Sequence, residues 1–186
     1  ACYRYNNNPE VMLQSLMDSL HGRVKIDMVR ITGPDFEDLD NRLLSLYLVK
    51  HKLTDVAMFG PDGKNVHASE FLYKQHVMMV RGSFRPATLV NLDMLRSSFN
   101  HFRNEADVEA NRSYLLTEIT LGNLMSDGEL DEADFLDRAD LLNELGQTVV
   151  ISNCEEYSKM NRYLSDFKIQ KLGIVIGVRE LLELIS

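Results

Sequence analysis

Asn8-Pro9 precedes a run in which Leu13, Leu16, Met17 and Leu20 recur every three or four residues before Gly22. A capping Asn, a Pro at the first helical position and a closing Gly predict an amphipathic helix. Val24, Ile26 and Met28 then alternate with Lys25 and Asp27, the period-two pattern of a half-exposed strand that switches to Val29 and Ile31 near its end. Gly33-Pro34-Asp35 turns the chain into a second predicted helix, striped by Phe36, Leu39, Leu43, Leu46 and Tyr47. Asp55 to Phe59 reads as a strand, Gly60-Pro61-Asp62-Gly63 as a tight turn, and Asn65-Val66-His67 as the return of a hairpin. A short helix is expected from Ser69 to Lys74.

After Gln75 the pattern changes to unbroken apolar runs: His76 to Val80, Tyr114 to Leu121, Thr148 to Ile151 and Leu172 to Val178. Such runs fit strands buried on both faces. Between them helices are predicted near Pro86–Phe99, Asp131–Leu145 and Glu155–Phe167, with a last one from Arg179. Their stripes, Leu89/Leu92/Leu95/Phe99 and Phe135/Ala139/Leu142/Leu145, have the period that lets a crossover helix cover a sheet. Strand and helix in alternation mean a parallel sheet. The fold class is α/β: a Rossmann-like three-layer sandwich with a mostly parallel central sheet and an N-terminal helix and hairpin extension. Residues 1–8 are expected to form a flexible segment and 9–186 one domain, with 9–75 the extension and 76–186 the core.

The charge of −8, from 20 Lys+Arg against 28 Asp+Glu, leaves no uniformly basic surface for many phosphates, so duplex nucleic acid is not an expected partner. No uncharged apolar stretch approaches the roughly 18 residues that span a bilayer, so no membrane partner is expected. Two cysteines, Cys2 and Cys154, are too few for a disulfide framework and point to a reducing compartment, the cytoplasm. The five histidines fall in separate segments without HxH, HExxH or HxxxH spacing, so no metal site is predicted. The chain starts without Met and stops inside a helical pattern, Leu181 to Ser186. The remainder of a longer protein, or a second copy, is therefore an expected partner.

Ligands of open parallel sheets bind where loops diverge at the carboxyl ends of the strands. Those ends carry Arg81-Gly82-Ser83-Phe84-Arg85-Pro86-Ala87-Thr88, then Gly122-Asn123, then Ser152-Asn153-Cys154, then Gly177-Val178-Arg179. Three arginines and several hydroxyl or amide groups, with Glu155 as the nearby carboxylate, reverse the chain's overall charge and suit a small phosphate-bearing ligand. Arg presents a planar fork to phosphate oxygens, Gly82 permits close backbone approach, and Pro86 opens the helix without an unused amide. The competing reading pairs Arg81 and Arg85 with acidic neighbours such as Glu118 or Asp93.

Gly82-Ser83-Phe84-Arg85-Pro86-Ala87-Thr88-Leu89-Val90-Asn91 resembles the strand-to-helix signature of nicotinamide-mononucleotide adenylyltransferase-like nucleotidyltransferases, GxFxPxT followed three residues later by His. The resemblance covers about ten residues of 186. Over more of its length the chain looks similar to longer, poorly characterised bacterial proteins, some of which carry an adenylyltransferase label. The resemblance implies adenylyl transfer from ATP to a nucleotide monophosphate, by positioning and charge stabilisation with Mg2+. It implies that Gly82 and Phe84 line the nucleotide and that Thr88 and Asn91 hold phosphate oxygens. Asn91 stands where the family has His, and some 80 residues precede a signature that in the family follows the first strand. Catalytic residues are not assigned. The residues expected to bind ligand are Arg81, Gly82, Ser83, Phe84, Arg85, Thr88, Asn91, Asn123, Ser152, Asn153 and Arg179. A non-catalytic structural or interaction domain of a larger protein is the alternative.

Two further motifs are set aside. Val149 to Asn153 resembles the second motif of haloacid-dehalogenase-like phosphatases, but no strand end supplies the Asp nucleophile that family needs. Ser126 to Phe135 imitates half of an EF-hand loop, yet Asn123 and Met125 would occupy its first ligand positions, so Asp131 is read as a helix cap instead. Cys154 opens a helix beside Glu155 and Glu156, which oppose a thiolate, and is read as structural.

Overall fold

The computed structural model describes residues 8–16, 24–85, 88–125 and 128–185, without the side chains of 179, 180, 183 and 184. The segment 1–7 and the predicted end of the first helix at Gly22 lie outside these residues, as do Pro86 and Ala87 of the signature. Helix α1 (Pro9–Leu16) starts as predicted, with Asn8 Oδ1 accepting the Val11 amide at 3.0 Å.

Residues 24–32 form no strand, contrary to their alternating pattern. Side-chain amides stand in for a partner strand. Asn41 accepts the Ile31 amide at 2.7 Å and donates to the Ile31 carbonyl at 3.0 Å, while Asn65 donates to the Val29 carbonyl at 2.7 Å. These three bonds, with one from the Ile26 amide to the Leu53 carbonyl, hold the segment so that Ile26, Val29 and Ile31 pack onto a small cluster around Leu13, Leu44, Leu48 and Leu53.

The second predicted helix also begins later than its stripe suggests. Pro34–Phe36 is a separate 3-10 turn, and helix α2 (Asn41–Lys50) starts behind Asp40, whose carboxylate accepts the Arg42 amide at 2.8 Å and the Arg42 guanidinium at 2.6–3.1 Å. Burial alone would raise the Asp40 pKa, but the Arg42 hydrogen bonds outweigh it and hold the carboxyl below its ordinary value. Asp40→Ala is expected to cost about 1–2 kcal/mol of unfolding free energy in urea at neutral pH. A lowered folded pKa gives stability that is present above the unfolded value, about 4, and lost as pH falls through the folded one. The gap between wild type and variant should therefore close on acidification below roughly pH 4; a gap independent of pH would contradict the capping role.

After strand β1 (Val56–Phe59) the predicted hairpin forms only in short: Phe59 bridges Asn65, the Gly60 amide donates to the Lys64 carbonyl at 2.9 Å and the Val66 amide to the Met58 carbonyl at 3.1 Å, and the chain then enters helix α3 (Ala68–Leu72). All four β1 residues are buried and apolar, so the strand needs cover on both faces, which a two-stranded hairpin cannot give. It finds that cover as an edge of the main sheet.

That sheet continues with β2 (His76–Arg81), followed by helix α4 (Leu89–Arg103), then β3 (Ser113–Thr120) with the short α5 (Leu121–Leu124) and the long α6 (Glu132–Glu144). Strand β4 (Thr148–Ser152), helix α7 (Tyr157–Ser165), strand β5 (Lys171–Val175) and helix α8 (Val178–Ile185) complete it. The strand order is β1-β4-β3-β2-β5; β2 to β5 run parallel and β1 pairs antiparallel with β4. Asp131 caps α6 through the Ala133 and Asp134 amides, as its sequence predicts.

Helices cover both faces. On one, Val80, Ile119 and Val149 pack against Leu46 and Val49 of α2, Leu95 of α4 and Phe135 and Leu142 of α6. On the other, Val77, Met79, Leu116 and Val150 meet Leu72 of α3 and Met160 and Leu164 of α7. The path steps from β2 to β3 to β4 in one direction with α4 and α6 on the first face, then returns past β2 to β5 with α7 on the second. Reversing direction and face together keeps one crossover hand. Strand β5 stops at Val175, opposite Val80, short of the predicted Val178, which opens α8. No helix of the described residues is long and apolar enough to cross a membrane.

Candidate functional site

The parallel register sets Arg81, the last residue of β2, opposite Glu118 of β3. Both side chains rise on the same face as Ser152, the last residue of β4. Glu118 is wholly buried, so its charge must be met inside the protein. Arg81 Nε donates to Glu118 Oε2 at 2.7 Å and Arg81 Nη2 to Oε1 at 3.1 Å, while the buried Ser152 hydroxyl donates to Oε1 at 2.5 Å. Arg81 goes on to donate from Nη2 to the Cys154 carbonyl at 2.8 Å and from Nη1 to the Glu155 carbonyl at 2.5 Å, and its guanidinium lies 4.3 Å from the Tyr157 ring centroid. Four of its five N–H groups thus have protein acceptors, and one on Nη1 has none among the described residues. One guanidinium joins β2, β3 and the segment leading into α7.

The loop beyond Arg81 is packed from within. Phe84 is 4% exposed and turns its ring back over Gly82, where a Cβ would stand 3.2 Å from the ring. A side chain at Gly82 would therefore crowd the Phe84 ring. Arg85 Nε pairs with Asp134 of α6 at 3.2 Å. Thr88 and Asn91 form a capping box at the start of α4: the Asn91 amide donates to Thr88 Oγ1 at 3.3 Å, and Asn91 Oδ1 accepts the Thr88 amide and hydroxyl, each at 2.8 Å.

Above the Arg81–Glu118 pair opens a crevice of about 630 Å3. Its walls are Gly82 and Ser83 after β2, Thr120, Gly122 and Asn123 after β3, and Glu155 to Ser158 at the start of α7. A Cβ at Gly122 would meet neighbours only at ordinary contact distances of 3.8 and 4.0 Å, so packing does not dictate glycine there. Of the residues expected at the site, Arg81, Gly82, Ser83 and Asn123 border this crevice; Phe84 packs into the core, and Ser152 is wholly buried, bonded to Glu118 and not lining the opening. Asn153 lies instead in a second depression of about 470 Å3 with Cys154, Lys159 and Arg162. Residue 179 sits in the first turn of α8, and its side chain lies outside the described residues.

Burial, with Glu118 and Asp55 nearby, pushes the Cys154 thiol pKa up, which favours the neutral thiol of a packed residue. Among the described residues no three His, Cys, Asp or Glu groups converge on a metal position.

Two contributors escape the sequence reading. Glu156 adds a second carboxylate to the crevice rim beside Glu155. Arg138 of α6 is 3% exposed, although the surrounding stripe of Phe135, Ala139 and Leu142 is wholly apolar. A charge on the covered face of an otherwise apolar stripe was the available signal. Comparison with protein-family models, curated proteins and solved structures finds no match to this chain.

Proposed function

We propose that the chain is a Rossmann-like domain that binds a small phosphate-bearing ligand, a nucleotide, in the crevice at the carboxyl ends of β2, β3 and β4. The observation that carries this reading is the position of that 630 Å3 opening. Loops diverge there from three parallel strands, and the loop after β2 borders the point between β2 and β5 where the strand order reverses, the place at which open α/β sheets hold ligands. Counting only the parallel strands, β4-β3-β2-β5 has the 3-2-1-4 order of the first four strands of a doubly wound nucleotide-binding sheet. The ligand-facing groups are the Ser83 hydroxyl, the Asn123 amide, the backbone beside Gly82 and Gly122, and the remaining Nη1 proton of Arg81. Glu155 and Glu156 make the rim unfavourable to bare phosphate and favour a nucleotide entering with a divalent cation, which Mg2+ accepts with one or two protein carboxylates. Adenylyl transfer is left out of the proposal, because Thr88 and Asn91 already satisfy each other.

That same self-sufficiency favours a second reading, a scaffold domain without a ligand. Thermal unfolding separates the two. Mg-ATP or NAD at 100 times its dissociation constant should add about 2.7 kcal/mol, a rise of roughly 5–10 °C for a domain of this size, with inorganic phosphate giving little. No shift with either nucleotide, at concentrations up to the millimolar range, would leave the scaffold reading in place.

A further inference from the structure

We propose that Arg138 is a positioning residue that fixes the width of the crevice by holding its two opposite loops from behind. Arg138 Nη1 donates to the Ser83 carbonyl at 2.9 Å and to the Asn123 carbonyl at 3.2 Å. Ser83 belongs to the loop after β2 and Asn123 to the segment after β3, and both residues line the crevice. One nitrogen therefore ties together two loops that follow different strands.

The clamp is itself anchored. Arg138 Nη2 pairs with Asp134 one turn earlier on α6, and Asp134 also receives Arg85 Nε. The loop after β2 is thus held twice, through the Ser83 carbonyl and through Arg85, by groups that converge on a single helix. Helix α6 is rigidly seated by Phe135, Ala139 and Leu142, each fully buried, so the clamp has a fixed base. A guanidinium suits the task because its planar fork serves two carbonyls and a carboxylate at once; a lysine ammonium on a flexible stem holds no such fixed spacing. Arg138 Nε is buried without a partner among the described residues, a cost that persists because the two Nη groups are engaged.

The inference rests on the crevice being a ligand site only in its second consequence, ligand affinity; the first, loop spacing, stands without any ligand. Two variants, Arg138→Met and Arg138→Lys, are compared with wild type by amide hydrogen exchange and by calorimetric titration with Mg-ATP. In Arg138→Met, exchange should rise by about tenfold or more in residues 82–85 and 121–125 together, the loss of a charge-assisted hydrogen bond, while 148–152 stays protected. Arg138→Lys, which can still reach one carbonyl, should loosen the loops less. If Arg138→Met does not fold, the lysine variant alone carries the comparison. Mg-ATP affinity should fall in the same order.

A rise confined to one loop, no rise, or an equal rise in β4 would overturn the clamp. If wild type fails to bind Mg-ATP while both loops loosen together in the variant, the nucleotide reading falls and the clamp stands. If wild type and Arg138→Met bind Mg-ATP equally and the loops remain protected, the clamp falls and the nucleotide reading stands.

Discussion

Arg81→Met should destabilise the domain by about 3–5 kcal/mol, the cost of leaving a buried charge without its partner. Glu118 is fully buried and would keep only the Ser152 hydroxyl. The carbonyls of Cys154 and Glu155 would lose their donors, and Tyr157 the guanidinium stacked on it. Methionine fills much of the volume, so the loss reports on charge and hydrogen bonding more than on a cavity. Adding Glu118→Leu should recover much of the loss, since a well-packed apolar pair is often as stable as a buried ion pair. Urea unfolding of the two single variants and the double variant gives the coupling directly.

The same experiment bears on function. An arginine kept for a ligand and otherwise unsatisfied would show the opposite pattern, unchanged or improved stability with lost binding. A destabilisation below about 0.5 kcal/mol, the range of surface substitutions, would mean that Arg81 is not the junction of β2, β3 and α7.

The parallel core was legible because its strands are mostly apolar and its crossover helices carry apolar stripes, with Glu118 in β3 and Arg138 in α6 as the exceptions. Local period is enough when burial is symmetric on both faces. The N-terminal third was less so, since Val24, Ile26 and Met28 alternate just as a strand would. The segment instead uses its backbone groups in distant single contacts: the Ile26 amide donates to the Leu53 carbonyl, and the side-chain amides of Asn41 and Asn65 take groups of Ile31 and Val29 that a neighbouring strand would have paired. The short hairpin after β1 was legible, but the main partner of that strand, β4, lies about ninety residues on, and register with a distant strand leaves no local trace.

At the site, the positions of the loops were readable and the partners were not. For Arg81 the sequence supports two readings, a ligand donor at a strand end and an ion pair with Glu118. Glu118 lies within one predicted strand and Arg81 just past the end of another, so choosing between them requires the register between β2 and β3. Arg138 needed still more, because its targets are main-chain carbonyls, which any sequence would supply. The order β1-β4-β3-β2-β5 likewise could not be read, since helices of equal length can step to either side.

Phe84→Ala should cost about 3–5 kcal/mol, as for a large aromatic removed from a core. The ring is 4% exposed and packs in the same cluster as Val80, Leu95, Ile119 and Phe135, even though it belongs to a loop after a strand. Its backbone has φ of 50°, in the left-handed region that a non-glycine residue adopts only when its surroundings demand it. Alanine keeps that strain without the ring that offsets it, whereas glycine relieves it. Phe84→Gly is therefore expected to be more stable than Phe84→Ala by about 1 kcal/mol, the reverse of the order found in helices and strands. Chemical denaturation of the pair checks both the size and the order. Loss of the ring also frees the space beside Gly82, so the loop that borders the crevice should gain hydrogen exchange in both variants. The nucleotide-lining role that the resemblance assigns to Phe84 requires something else: near-native stability combined with lost nucleotide binding. That result would show the ring turned toward the ligand, and with it the loop opened away from the core on which the present packing of Gly82 depends.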